Sequence, residues 1–278
     1  MVSLMLGILG SSMLSVFMRL SERKITNNIG MLAVNYLTCT VLGLFYAVSG
    51  ESLCLGRSLY VTTGMGLLNG ILYLASFVLL QSSVRKNGVV LSSTFMKLGL
   101  LVSMAVSVAV YRERPDTLQI LGFLLALGAI VLINYRKDAA SGGAKSGLMW
   151  LLLLSGGAEV MSKIFEETGF SGMSDYFLLL TFATAFPLAL VLMAKKNQRI
   201  GRWEALFGVL IGVPNFLSSK LLLQALYTIP AVVAYPVYNV GVILIVTVAG
   251  MLLFRERLEK RQWIGMLLIL AALVLLNI

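Results

Sequence analysis

The chain has 278 residues, of which 59% are hydrophobic and only 12% charged, and its mean hydropathy is +0.93. Soluble domains are roughly half apolar and a quarter charged, and here apolar runs of about twenty residues recur from end to end. This excludes a soluble globular protein and predicts an all-α, polytopic membrane protein, so the net charge of +10 reads as a topology signal in the loops rather than a nucleic-acid surface.

Apolar runs between charged or Gly/Pro/Asn punctuation predict ten transmembrane helices, near 2–20, 29–49, 59–81, 88–111, 117–135, 147–165, 173–194, 204–227, 231–254 and 262–278. Residues 1–18 carry no positive n-region and run straight into Arg19, so the first run is expected to be a retained helix rather than a cleaved signal. The two cysteines, Cys39 inside an apolar run and Cys54 in a short loop, lie at different depths and are too few for a disulfide framework. The connections are short, with no separate soluble domain and no G-x-x-x-x-G-K-[ST] loop for a nucleotide, so no cofactor is expected.

Lys and Arg are distributed unevenly over these connections. The odd-numbered ones hold sixteen, whereas the even-numbered ones hold only Arg57, Arg112 and Arg114. The positive-inside rule then places the odd loops in the cytoplasm and both termini outside.

Sliding the chain on itself by 143 residues lays Arg112–Asn134 on Arg255–Asn277 without a gap, with 12 of 23 positions identical. Leu-rich segments match by chance, but Arg-Glu-Arg (112–114 and 255–257), Gln119/Gln262, Gly122/Gly265 and Asn134/Asn277 do not follow from hydropathy. The same offset aligns Leu79-Leu80-Gln81 with Leu222-Leu223-Gln224, so the chain reads as a duplication: repeats over 1–138 and 147–278 with a linker at 139–146. Five helices per repeat is an odd number, so the second copy is inverted, the architecture of secondary transporters with a midplane site between halves.

The five-plus-five pattern, with an Arg-Glu-Arg turn after helices 4 and 9 and a Gly-containing apolar helix after each turn, resembles the EamA-type transporters of the drug/metabolite transporter superfamily. Ala234-Tyr235-Pro236, Asn239, Gly241, Phe254-Arg255-Glu256-Arg257 and Gly265 are similar to the last two helices of such proteins and to small multidrug resistance relatives. Phe95-Met96-Lys97-Leu98 departs from the uncharged stretch usual in exporters and is similar to nucleotide-sugar carriers that keep a Lys there. The resemblance implies fold and transport; it does not imply a substrate.

A lone ionised Lys at the bilayer centre costs at least about 2.5–3.5 kcal/mol, so such residues face a wet cavity or a partner. Lys97 lies nine residues into helix 4 with Ser93 and Thr94 one turn earlier, a polar stripe suited to binding solute; the rival reading is a structural ion pair. Lys220 shares helix 8 with Pro214, Asn215, Ser218, Ser219 and Gln224, and is read either as lining a cavity or as reaching toward the outer interface. On helix 6, Glu159 and Lys163 stand in the order that favours an intrahelical pair, and Glu159 is the one carboxylate deep in a span. It is a candidate for proton coupling or for pairing with Lys97. Tyr235, Tyr238 and Asn239 share a face of helix 9, as do Asn69, Tyr73 and Ser76 on helix 3; these groups line a site or serve as interhelical glue. Gly66/Gly70 and Gly208/Gly212 are read as close-packing pairs.

Three embedded cations against one embedded carboxylate point to an anionic or zwitterionic metabolite moved by alternating access, in a monomer or homodimer within the lipid bilayer. A lipid-linked sugar flippase and a multidrug exporter are the alternatives within the superfamily. An enzyme is not expected, because there is no histidine to assemble the usual constellations; a non-transporting interaction protein is a further alternative and predicts no cavity and normal behaviour after Lys97→Ala.

Overall fold

The computed structural model describes the chain except residues 22, 23, 26, 50–56, 88–91, 93, 94, 97, 135–144, 169, 170, 255–259 and 278. The described helices are α1 (Val2–Ser21), α2 (Asn28–Ser49), α3 (Arg57–Asn87), α4 (Leu100–Ala109), α5 (Thr117–Asn134), α6 (Lys145–Glu167), α7 (Ser174–Lys195), α8 (Arg202–Leu226), α9 (Ala231–Phe254) and α10 (Lys260–Asn277). Helix is the required answer for such a sequence, because a bilayer offers backbone N–H and C=O groups no partner outside the segment itself. Among the described residues, seven helices are long and apolar enough to cross a membrane, while 100–109, 117–132 and 263–272 are shorter apolar stretches. This is a multi-pass membrane protein.

Most boundaries fall within two or three residues of the expected ones, and α9 matches its predicted 231–254. Two helices differ. The third runs on to Asn87 rather than 81, because nothing between Gln81 and the Asn87-Gly88 pair breaks a helix. The fourth, expected to be unbroken over 88–111, is interrupted by a turn at Leu98–Gly99. There the backbone tightens to i→i−3 bonds, Leu101 N to Leu98 O and Val102 N to Gly99 O, both 2.9 Å. The cause lies in α6: Ser155 Oγ donates to the Met96 carbonyl at 3.1 Å, and Gly99 and Gly156 approach so closely that a Cβ on either would strike the other helix.

Two compact units emerge, each drawing on both halves of the chain. One comprises residues 1–74 and 164–227, the other 75–163 and 228–278. In the first, α1 packs on α8 and α2 packs on both α7 and α8. Gly208 sits against Val34 and the Met31 carbonyl, and Gly212 against Thr38 and the Asn35 carbonyl, so both glycines act as close-packing residues. Asn27 caps α2, its Oδ1 accepting from Ile29 N at 3.1 Å and Gly30 N at 3.0 Å. In the second unit, α5 packs on α10, and α9 packs on α4, α5 and α10.

Candidate functional site

The sequence-predicted residues divide between the two units. In the first, Asn69 on α3 donates through Nδ2 to Thr181 Oγ1 of α7 at 3.2 Å, while its Oδ1 is buried without a hydrogen-bond partner among the described residues. Asn215 of α8 donates to Asn35 Oδ1 of α2 at 3.2 Å. The buried Cys39 thiol lies 3.7 Å from that same Oδ1 and 3.3 Å from the Gly212 carbonyl. Aromatic rings connect these groups: Tyr73 stands edge-on to Phe182 at 5.8 Å, Tyr36 stacks on Phe182 at 6.3 Å, and Tyr46 stacks on Phe216 at 5.7 Å.

Lys220 completes this cluster. Its ammonium is 2.6 Å from Asp175 Oδ1, in the first turn of α7, and 3.8 Å from the Tyr46 ring centroid. The two side chains retain 17% and 26% exposure. Close by, Ser174 Oγ and the Tyr227 hydroxyl share a hydrogen bond at 3.2 Å. Beyond the end of α8, burial raises the Tyr227 pKa, the Ser174 bond lowers it and the Glu166 carboxylate raises it.

In the second unit, Glu159 Oε2 accepts from Ser103 Oγ of α4 at 3.1 Å, and the Glu159 backbone carbonyl accepts from the Tyr235 hydroxyl at 2.6 Å. Asn239 turns back along its own helix, donating through Nδ2 to the Tyr235 carbonyl at 3.1 Å. Tyr238 is half-buried. Lys163, 3% exposed, pairs with Glu113 Oε1 at 2.8 Å. The remaining candidates, Lys97 and Ser93, lie outside the described residues, as does Cys54.

Asp175, Ser103 and the aromatic partners Tyr46, Phe182 and Phe216 are groups that sequence reasoning did not single out, and Glu113 entered it only as the middle of the Arg-Glu-Arg repeat signature. Glu113 falls in a predicted connection and Asp175 at the very start of the predicted span 173–194, so neither stands out as a carboxylate deep in the membrane. Their positions change the charge count from sequence, because two of the three embedded lysines have carboxylate partners.

A family model described as the EamA-like transporter family matches residues 1–135 and again 145–278. The chain belongs to the EamA-like transporter family. It is therefore a membrane transporter of the drug/metabolite superfamily. Over 281 residues, 98% of this chain and 96% of the relative, it is 22% identical to an uncharacterized protein of Haemophilus influenzae. Over 83 residues, 30% of this chain and 73% of the relative, it is 35% identical to a probable 4-amino-4-deoxy-L-arabinose-phosphoundecaprenol flippase subunit, ArnE, of Enterobacter. A solved crystal structure superposes with a TM-score of 0.75 over 99% of this chain and 94% of that one, at 13% identity, a likeness of fold.

Proposed function

We propose that this EamA-like transporter moves a small polar solute, anionic or zwitterionic, by alternating access between two inverted five-helix repeats. The observation that carries the solute class is the contrast between two ion-paired lysines. Lys163 and Glu113 keep only 4% and 14% side-chain exposure, whereas Lys220 and Asp175 keep 17% and 26%. A half-open ammonium resting on Tyr46 is available to a solute carboxylate or phosphate, which would take the place of Asp175. Asn69, with a buried acceptor still to satisfy, suits an amine or hydroxyl on the same solute. Lys97 and Ser93, with Tyr73, Asn215, Tyr235, Tyr238 and Asn239, complete the proposed set, and Glu159 is the coupling or counter-charge group.

The repeat reading is supported by the separate family match to each half. It is also supported by helix pairing: α2 packs on α7 and α5 on α10, each helix on its own counterpart, as a pseudo-two-fold requires. The excess of cations in odd loops supports cytoplasmic odd loops and external termini. Family membership and the absence of histidine favour transport over catalysis. A monomer or homodimer is the proposed state.

The test is thermal stabilisation of the detergent-purified protein by matched anionic, zwitterionic and cationic metabolites, because a ligand that binds the folded state raises its stability by mass action. Stabilisation by anions or zwitterions, lost in Lys97→Ala and Lys220→Gln, is the expected result. Stabilisation by lipophilic cations alone, equal in the variants, overturns it in favour of drug export. The ArnE relative favours a second reading, a lipid-linked sugar flippase. Stabilisation by a polyprenyl phosphate and by no soluble anion would select it.

A further inference from the structure

The Arg-Glu-Arg motif that marks the repeat has a structural role in the first half that transport chemistry has not used. Past the end of α4 the chain turns back on the helix, with Glu113 N donating to the Ser107 carbonyl at 3.2 Å. Arg112 takes φ 55° there, where glycine is the usual occupant. The turn sends the Glu113 side chain back against two other helices. Oε1 accepts from Ala231 N at 3.2 Å, Oε2 accepts from Val232 N at 3.1 Å, and Oε1 also meets Lys163 Nζ at 2.8 Å.

These bonds differ in how easily they are released. The first N–H groups of α9 have no acceptor within their own helix and lie at its positive dipole end, so a carboxylate there is held by two donors and a favourable field. Removing Lys163 leaves Glu113 satisfied. Lys163 also has alternatives, with Glu159 one turn before it, Glu166 and Glu167 one turn after it, and the Tyr111 ring 5.7 Å away. Its ammonium can pass between carboxylates without being left bare in an apolar surround.

We propose that Glu113 and Lys163 form a releasable latch between the end of α6 and the start of α9, in which Glu113 positions α9 and Lys163 is the half that lets go. The latch rests on the transport reading, since it serves a cycle in which this end of the unit opens and closes. Glu113 is a positioning residue.

Cysteine accessibility in the full-length, detergent-purified protein tests it without any solute. Val233, 5% exposed in the first turn of α9, is replaced by Cys in a Cys39→Ala, Cys54→Ala background, and its reaction with a hydrophilic maleimide is timed. Lys163→Gln should raise the rate about tenfold, the population change from losing one charge-assisted bond, while Lys163→Arg keeps it at the parent value. Glu113→Gln should raise the rate at least as much, because it also gives up one of the two acceptors for the first N–H groups of α9, and the double variant should react no faster than Glu113→Gln alone. Unchanged labelling in Lys163→Gln, or a double variant faster by the product of the singles, overturns the latch. So does a rise no larger than that of a Gly70→Ala control with the same loss of melting temperature, because general loosening would then explain it. Because no solute enters this assay, a failed latch and a failed solute class are separate results.

Discussion

The Tyr235 hydroxyl donates to the backbone carbonyl of Glu159 at 2.6 Å, joining α9 to α6 one turn from the Lys163 pair. Tyr235 is 2% exposed, so the bond is made away from water. A helix carbonyl already serves its own i+4 N–H, so Tyr235→Phe removes a supplementary bond without orphaning an acceptor. The expected cost is about 0.5–1.5 kcal/mol, measured by unfolding in detergent. A loss of several kcal/mol would mean that the hydroxyl carries more than this bond.

Glu159→Gln separates the charge of this residue from its hydrogen bonding. A Gln carbonyl still accepts from Ser103 Oγ, now 3.1 Å from Oε2. Removing a charge from an apolar span recovers desolvation energy. The variant is therefore expected to be at least as stable as the parent and, if Glu159 carries the coupling proton, to lose the dependence of transport on a pH gradient while still exchanging solute across liposomes. Unaltered gradient dependence would assign Glu159 to the structure.

The spans were legible because a bilayer rewards one property, apolar length, and punctuation such as Pro230 before α9 stands out against it. The break at Leu98–Gly99 was not, because its cause is Ser155 and Gly156 of α6, about 57 residues further along the chain. Charge partners were hidden for a similar reason. Hydropathy leaves Glu113 in a loop and Asp175 at the edge of a span, and only folding brings Glu113 to Lys163 and Asp175 to Lys220. Residue types therefore marked Lys163, Lys220 and Glu159 as consequential, while pairing, which decides what each does, is a property of helix packing. For Lys97 the sequence argument stands alone, since it lies outside the described residues.

Two glycines of α3 give a paired test of helix packing. A Cβ on Gly70 would collide with the Thr181 carbonyl oxygen and lie 2.7 Å from Thr184 Cβ, whereas one on Gly64 would meet nothing within 4 Å. Gly70→Ala is expected to lose about 1–3 kcal/mol, the usual cost of overpacking. Gly64→Ala should be neutral or stabilising by up to about 1 kcal/mol, the helix-propensity difference. Equal melting temperatures for the two variants would show that α3 can move away from α7 at no cost.

Arg112 offers a stabilising change. At φ 55° it occupies the left-handed region, where a Cβ costs roughly 1–2 kcal/mol and glycine pays nothing. Arg112→Gly also gives up a cation at the end of α4, worth about 0.3–1 kcal/mol. The net expectation is a gain of up to about 1 kcal/mol, read by thermal unfolding. A loss would mean that the guanidinium holds this turn through contacts worth more than the strain.

The Lys220–Asp175 pair decides between binding and scaffolding. Its members are 17% and 26% exposed, between a surface pair worth about 0–1 kcal/mol and a buried one whose disruption costs about 3–5 kcal/mol. A double-mutant cycle of Lys220→Gln and Asp175→Asn should therefore give a coupling of about 1–2 kcal/mol in the absence of solute. If a solute carboxylate displaces Asp175, that coupling must shrink when the stabilising anion is present, because Lys220 then has another partner. A scaffold pair would keep the same coupling with and without the anion, and Asp175→Asn would leave anion affinity where it was. Under displacement, Asp175→Asn instead tightens anion binding, since the competing carboxylate is gone. Lys220→Gln abolishes binding in the same assay.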